Sequence, residues 1–288
     1  MSEQSYGVRS SVAELKRVAV RRPLVGGADV VAEYEHAHWQ TPDLERLAGQ
    51  HAAFVQTLRD LGSDVIELDP VPGLPDAVFT YDPAFVIPSG TVEFRAAKPV
   101  RVGEGAALVR DLELAGVPTV GRLVGDAVAD GGDMFWLDED TLAIGRGYRT
   151  NQDAIDQMRG ILASDGVKVE QFDLPHDMGP EYCLHLMSVI SPIREDLAVV
   201  YEKLAPVAML QALVRRGIEW VTVDDDEYLT LGCNILPVRP GVVVMGGRNV
   251  RTADKLREAG VEVHTFDSEQ SDKGEGGPTC MTRPVLRA

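Results

Sequence analysis

The sequence predicts an α/β fold of five pseudo-repeats arranged radially about a central axis. Two observations predict it: a helix–glycine–strand passage occurs five times, and short apolar, β-prone runs precede the helices. An ordinary open α/β sheet also alternates strands and helices. Near-even spacing and the absence of a phosphate-binding glycine fingerprint favour the radial repeat.

In the first passage Leu47, Phe54, Leu58 and Leu61 fall at helical spacing, and Gly62 precedes the β-rich residues 63–69. The second follows the apolar run Ala84-Phe85-Val86-Ile87 and turns at Gly116 into Val117-Pro118-Thr119-Val120. The third follows Thr141-Leu142-Ala143-Ile144 and turns at Gly166 into residues 167–173. The fourth follows Leu197-Ala198-Val199-Val200 and turns at Gly217 into residues 218–224. The fifth follows Val242-Val243-Val244-Met245, carries Leu256 among Arg, Lys and Glu, and turns at Gly260 into residues 261–267. The glycines are spaced by about 54, 50, 51 and 43 residues, in the range of modular folds. Each stands where a helix C-cap takes a left-handed backbone. In such an arrangement a substrate lies at the axis, where loops of different modules converge.

Composition bounds the function. The chain has 288 residues, 44% hydrophobic and 25% charged, enough for a sizeable core. A formal net charge of −17 argues against nucleic acid as a partner and is compatible with a cationic small substrate. The start Met-Ser-Glu-Gln-Ser-Tyr-Gly lacks the pattern of a secretory signal, and no run approaches the roughly 18–20 apolar residues of a membrane span. Three cysteines at these spacings form neither a disulfide framework nor a zinc finger. The expected setting is a reducing cytoplasm.

Several windows carry chemical potential. Cys280 lies in Gly276-Gly277-Pro278-Thr279-Cys280-Met281, where backbone can approach a ligand closely, as a nucleophile requires; a small hydrophobe under a turn is the plainer reading. His185, in Tyr182-Cys183-Leu184-His185-Leu186-Met187, is either a base or a core histidine. Asp130-Gly131-Gly132-Asp133 turns sharply enough to bring a carboxylate to the axis, as a surface turn also would. In Gly145-Arg146-Gly147-Tyr148-Arg149 an arginine can grip a carboxylate bidentately. Asp76 and Asp82 bracket Ala77-Val78-Phe79-Thr80-Tyr81; read as a short strand, the even spacing sets both acids on one face to hold a cation. His36 and His38, read on one side of a strand near Glu33 and Glu35, lack further ligands, so no metal is expected. Cys183 and Cys233 are read as buried structural thiols.

Together these windows resemble the guanidino-group-modifying enzymes: dimethylarginine dimethylaminohydrolase, arginine deiminase and the amidinotransferases. The matching pieces are Asp-Ala-Val-Phe-Thr-Tyr-Asp at 76–82, Asp-Gly-Gly-Asp at 130–133, Arg-Thr-Asn at 149–151, His-Leu-Met-Ser at 185–188 and Gly-Gly-Pro-Thr-Cys-Met at 276–281, in the family's order. The resemblance implies a five-bladed α/β propeller (pentein), with residues 1–288 as a single catalytic domain of five pseudo-repeats. It implies Cys280 as nucleophile, His185 as general acid and base, and Asp130 as the partnering acid. Asp82 matches the guanidinium-binding acid, Asp76 a substrate-binding acid, and Arg149 an arginine that grips the amino-acid end; Phe79 and Asp133, in the same pieces, complete the expected substrate site. The chain departs from the family at Met187, Tyr81 and Glu275, where relatives carry a carboxylate or lysine, a glutamate, and an arginine. The expected function is cysteine-dependent hydrolysis of the guanidino group of arginine or a methylated arginine. Amidino transfer to an amine and non-catalytic binding of cationic amino acids are the alternatives. No cofactor is needed; the partner is a small cationic amino acid, with neither nucleic acid nor membrane, and the assembly a homodimer.

Overall fold

Five glycines set the rhythm of the chain in space. Gly62, Gly116, Gly166, Gly217 and Gly260 have φ of 97°, 89°, 70°, 68° and 79°. A side chain at any of them would meet nothing within 4 Å, so it is the backbone angle that calls for glycine. Each ends a helix and starts the strand that returns to the sheet, as expected. The structure, a computed structural model, describes residues 5–26 and 29–288.

The first blade holds β1 (Leu15–Arg21) and β2 (Asp64–Leu68), paired in parallel across helix Leu44–Asp60. The second is β3 (Ala84–Ile87), β4 (Gly90–Glu93) and β5 (Thr119–Arg122), with helix Glu104–Leu114. The third is β6 (Met134–Asp138), β7 (Thr141–Arg146) and β8 (Lys168–Asp173), with helix Gln152–Ala163. The fourth is β9 (Ile190–Arg194), β10 (Leu197–Val200) and β11 (Glu219–Thr222), with helix Val207–Arg216. The fifth is β12 (Ile235–Arg239), β13 (Val242–Gly246) and β14 (Glu262–Phe266), with helix Val250–Glu258. Finally β15 (Arg283–Arg287) pairs antiparallel with β1 and closes the ring on the first blade. In every blade an antiparallel pair is followed by a helix and a parallel return, giving the five-bladed α/β propeller.

Burial follows position in the blade. β3, β10 and β13 are buried along their whole length, which explains their continuous apolar runs. The returning strands β2, β5, β11 and β14 lie at the rim, mostly half-buried or exposed. Helices are anchored by their apolar faces: Leu47, Phe54 and Leu58 are buried, as their spacing predicts. The Asp43 side chain caps the first of these helices by accepting from Arg46 N, and Asn151 caps the third through Ala154 N, each worth about 1 kcal/mol.

Two local expectations are corrected. Residues 75–82 form no strand: Pro75–Val78 is a 3-10 turn, because proline presets φ for a first helical position and the bond lost is one a turn leaves open anyway. His36 ends helix Val30–His36 and His38 has φ of 70°, so the two exposed imidazoles share no strand face.

Candidate active site

Asp76, Asp82, Asp130, His185 and Cys280 stand on segments that lead into the innermost strands, while Arg149 follows β7. The Pro75–Val78 turn carries Asp76, whose Oδ1 accepts from Trp39 Nε1, while Phe79 stacks on Trp39 with ring centroids 5.3 Å apart. Asp82 accepts from Gly132 N at 2.9 Å and from Arg101 Nη1 at 2.9 Å. Tyr81 N donates to the carbonyl of Cys280 at 3.0 Å, tying this loop to the C-terminal one.

The Asp130–Asp133 turn opens the third blade, and His185 caps the short helix Leu186–Val189 that opens the fourth. His185 Nε2 lies 3.1 Å from Asp130 Oδ2, both groups buried. With Nε2–H donated to the carboxylate, Nδ1 is the free acceptor of the neutral ring. Burial would pull this imidazole down; the charges of Cys183 and Asp82 and the hydrogen bond to Asp130 outweigh it, and its pKa stands well above the ordinary histidine value. Burial opposes ionisation of Asp130 too, but the His185 hydrogen bond, Arg101 and Arg149 keep its pKa low.

Cys280 sits in a turn closed by Met281 N donating to Gly277 O. Asn234 Nδ2 donates to its Sγ at 3.0 Å, and Asn234 Oδ1 accepts from Thr279 N at 2.9 Å, so one amide holds both the thiol and its loop. Burial, with Asp82 nearby, pushes the Cys280 thiol up to about 12. Without a cation beside it the group is a thiol at neutral pH.

Two cavities meet at Cys280 and His185. The outer, about 270 Å³, is also lined by Cys183, Met187, Asn234 and Glu275. The inner, about 30 Å³, is lined by Asp76, Phe79, Asp82, Arg101 and Arg149. Arg149 is buried; its Nη1 is 3.5 Å from Asp130, while Nε and Nη2 have no partner among the described residues. Those two N–H groups form one edge of a guanidinium, the geometry a carboxylate needs. Arg146 is exposed and pairs with Asp173. Asp133 stands beneath the site and lines neither cavity. Its Oδ1 accepts from Leu186 N at 2.8 Å, seating the helix that His185 caps.

Three contributors carry no signal in the sequence windows, and a fourth, Cys183, carries a different one. Arg101 occupies a nest of acids: 2.9 Å from Asp82, 2.9 Å from Glu104, 3.8 Å from Asp76 and 3.9 Å from Asp130. It lies in Pro99-Val100-Arg101, a stretch with no motif, and only the nest gives it meaning. Glu104 and Asn234 are equally plain in sequence. Cys183 is corrected: it is half-buried, and its Sγ lies 3.4 Å from His185 Nδ1. Position, two residues before His185 on a segment without regular structure, turns it into the site; Cys233 is buried as expected. Asp82, Asp130 and His185 offer atoms within 4.8 Å of one another. Arg101 lies 2.9 Å from Asp82 and Arg149 lies 3.5 Å from Asp130, so two guanidinium groups already stand beside these carboxylates.

The arginine deiminase family profile matches residues 207–287. The protein YkgA of Bacillus subtilis (strain 168) is 28% identical over 238 residues, covering 83% of this chain and 79% of that protein. The arginine deiminase of Listeria innocua is 27% identical over 261 residues, covering 76% of this chain; the chain spans 63% of that enzyme's length. Among solved structures, dimethylarginine dimethylaminohydrolase from Pseudomonas aeruginosa, a mutant complexed with citrulline, superposes with a TM-score of 0.79 at 22% identity, covering 94% of this chain and 99% of that one. The N-terminal domain of ArgZ, covalently bound to a reaction intermediate, gives 0.80 at 22% identity over 94% and 98%. The chain is thus similar in sequence to arginine deiminases, and in fold to dimethylarginine dimethylaminohydrolase and ArgZ.

Its departures from the superfamily pattern have definite places. Met187 is buried and lines the outer cavity. Tyr81 is buried, its hydroxyl donating to Met134 O at 3.2 Å and its ring lying under Arg283 at 4.1 Å. Glu275, with φ of 62°, lines both cavities and accepts from Cys183 N at 3.2 Å.

Proposed function

We propose that this protein is a cysteine-dependent hydrolase that cleaves a C–N bond in the guanidino group of arginine or an Nω-substituted arginine. The observation that carries the reading is the meeting of the two cavities at Cys280 and His185, with an acid nest on one side and the orphan N–H edge of Arg149 beside it. The superfamily relatives named above support it. Residues 1–288 act in this reading as one catalytic domain, in the cytoplasm, as a homodimer.

A guanidinium carbon is a poor electrophile because its charge is spread over three nitrogens. Asp82 and Asp76 hold the cation, and each carboxylate oxygen can accept a second hydrogen bond beside those already made. Arg149 takes the substrate carboxylate, and Phe79 walls the inner cavity. The arriving positive charge lowers the Cys280 pKa, and the thiol releases its proton to solvent only with substrate bound. The thiolate attacks the central carbon. His185, held protonated by its acidic neighbours, gives its proton to the departing amine, leaving an S-alkylthiouronium on Cys280. The imidazole then takes a proton from water as the water oxygen adds to that carbon. Collapse expels the thiolate, and loss of the remaining hydroxyl proton to solvent leaves citrulline. Asp130 keeps the ring oriented and stabilises the imidazolium.

Mass spectrometry of products from arginine, methylated arginines, agmatine and citrulline tests the reading. Citrulline with ammonia or an alkylamine supports it. Amidino transfer to an added amine makes the protein a transferase, and binding without product makes it a cationic amino-acid receptor.

A further inference from the structure

Arg283 and Arg287 on β15 are only 1% and 8% exposed. A buried guanidinium is expected to pair with a carboxylate. Their hydrogen bonds go instead to main-chain carbonyls: Arg283 to Tyr81 and Ala84 at 2.9 and 2.8 Å, Arg287 to Ala13 and Pro237 at 2.6 and 2.7 Å. Arg283 also lies over the rings of Tyr81 and Phe85, 4.1 and 4.6 Å from their centroids. Burial lowers both pKa values, Arg287 to about 10, and an arginine side chain keeps its charge in a protein. Neither buried guanidinium makes a salt bridge among the described residues; the charge of Asp82 acts on Arg283 only from beyond bonding distance.

Both line one cavity of about 20 Å³, room for a single water-sized atom or ion. Each innermost strand contributes to its wall: Phe85 from β3, Trp136 from β6, Pro192 from β9, Pro237 from β12 and Arg283 from β15. The cavity therefore sits on the pseudo-fivefold axis. Tyr81, Met187 and Thr279 line it and the outer active-site cavity alike, so it lies directly behind the site.

The side-chain groups of this cavity left without a partner among the described residues are donors. Trp136 Nε1 and Arg283 Nε are buried without a partner among the described residues. Ser10 and Ser11 also line it; their oxygens already accept backbone N–H groups, Ser10 from Val12 and Ala13, Ser11 from Trp136. Their hydroxyl protons remain to donate. A water needs acceptors for its own two protons, whereas an anion is satisfied by donors alone and also neutralises the arginines.

We propose that this axial cavity binds a small monoanion of halide size, held by Arg283, Arg287 and Trp136. The ion fixes Arg283, which links the loop bearing Asp82 to the strand following Cys280. A crystal soaked in sodium bromide and measured at the bromine edge should show an anomalous peak between Trp136 and Arg283. In solution, Tm should be roughly 3–6 °C higher in sodium chloride or bromide than in sodium gluconate, an anion too large to enter, at matched ionic strength. Trp136→Phe keeps an aromatic ring but removes the indole donor, and should at least halve that rise. Absence of an anomalous peak on the axis overturns the proposal. So does a halide-dependent rise as large in Trp136→Phe as in the wild type.

Discussion

Gly132 leaves the space that the His185 ring fills: a Cβ at position 132 would lie 2.3 Å from His185 Nδ1. The glycine pair of the Asp130–Asp133 turn is thus a requirement of the imidazole's placement, since one methyl group there moves the ring off Asp130. Gly132→Ala should lower kcat more than tenfold with a loss of about 1–3 kcal/mol in stability. Steady-state kinetics beside thermal melting check this, and a fully active variant would mean that the ring has another working position.

Cys280→Ser should abolish turnover, by at least ~10³-fold, while leaving Tm close to wild type. His185→Gln should stall either formation or hydrolysis of the covalent intermediate, and intact-mass measurement on the quenched enzyme distinguishes the two. More than about a tenth of wild-type activity in Cys280→Ser would remove that residue from the mechanism.

Arg101 is the counter-charge of Asp76, Asp82, Glu104 and Asp130. Removing one partner of a buried charge network typically costs about 3–5 kcal/mol. Arg101→Ala should fall in that range by urea unfolding, with a smaller deficit at pH 5 than at pH 8. The sign follows from Glu104, which burial pushes up to about 8: protonated at pH 5, it then needs no cation. A deficit independent of pH would show that Arg101 acts through packing alone.

Asp133 offers a second pH test. Burial raises its pKa from 3.8 to about 6. A carboxyl with a raised folded pKa contributes stability that is fully present below the unfolded value and lost as pH rises through the folded one. Asp133→Asn keeps an acceptor for Leu186 N but does not ionise. Its stability relative to wild type should therefore improve by about 1–3 kcal/mol between pH 4 and pH 7. Parallel stability–pH curves for the two proteins would contradict the assignment.

Met187 bears on substrate choice. Its thioether lines the outer cavity where a carboxylate would bond the second face of an unsubstituted guanidinium. A charged hydrogen bond is worth roughly 1.5–3 kcal/mol, so its absence should favour a methylated arginine over arginine by tenfold or more in kcat/KM. Met187→Asp should shift the preference toward arginine. A clear wild-type preference for arginine rejects the idea.

The local signals act over short stretches of chain. The five helix–glycine–strand passages, the apolar runs and the turn around Cys280 depend on residues a few positions apart, and their physics is short-ranged. Residues 75–82 show the limit of such reading: alternate spacing suggested a strand, and Pro75 made a turn that still sets Asp76 and Asp82 on the same cavity.

The sequence by itself determined the five-blade repeat and the candidate identities of Cys280, His185, Asp130 and Asp82. Left-handed glycines and apolar periodicity act within one helix or strand, and the windows bearing those side chains are contiguous. Tertiary structure alone decided what surrounds them. Arg101 from the second blade enters a nest of acids contributed from residues 76 to 130, Asn234 reaches Cys280 across 46 positions of chain, and Cys183 comes beside His185 instead of entering the core. The reason is desolvation. Once closure of the ring by β15 on β1 takes these groups out of water, a buried charge or donor is satisfied by whatever group the packing brings beside it, and no spacing along the chain records which one it will be.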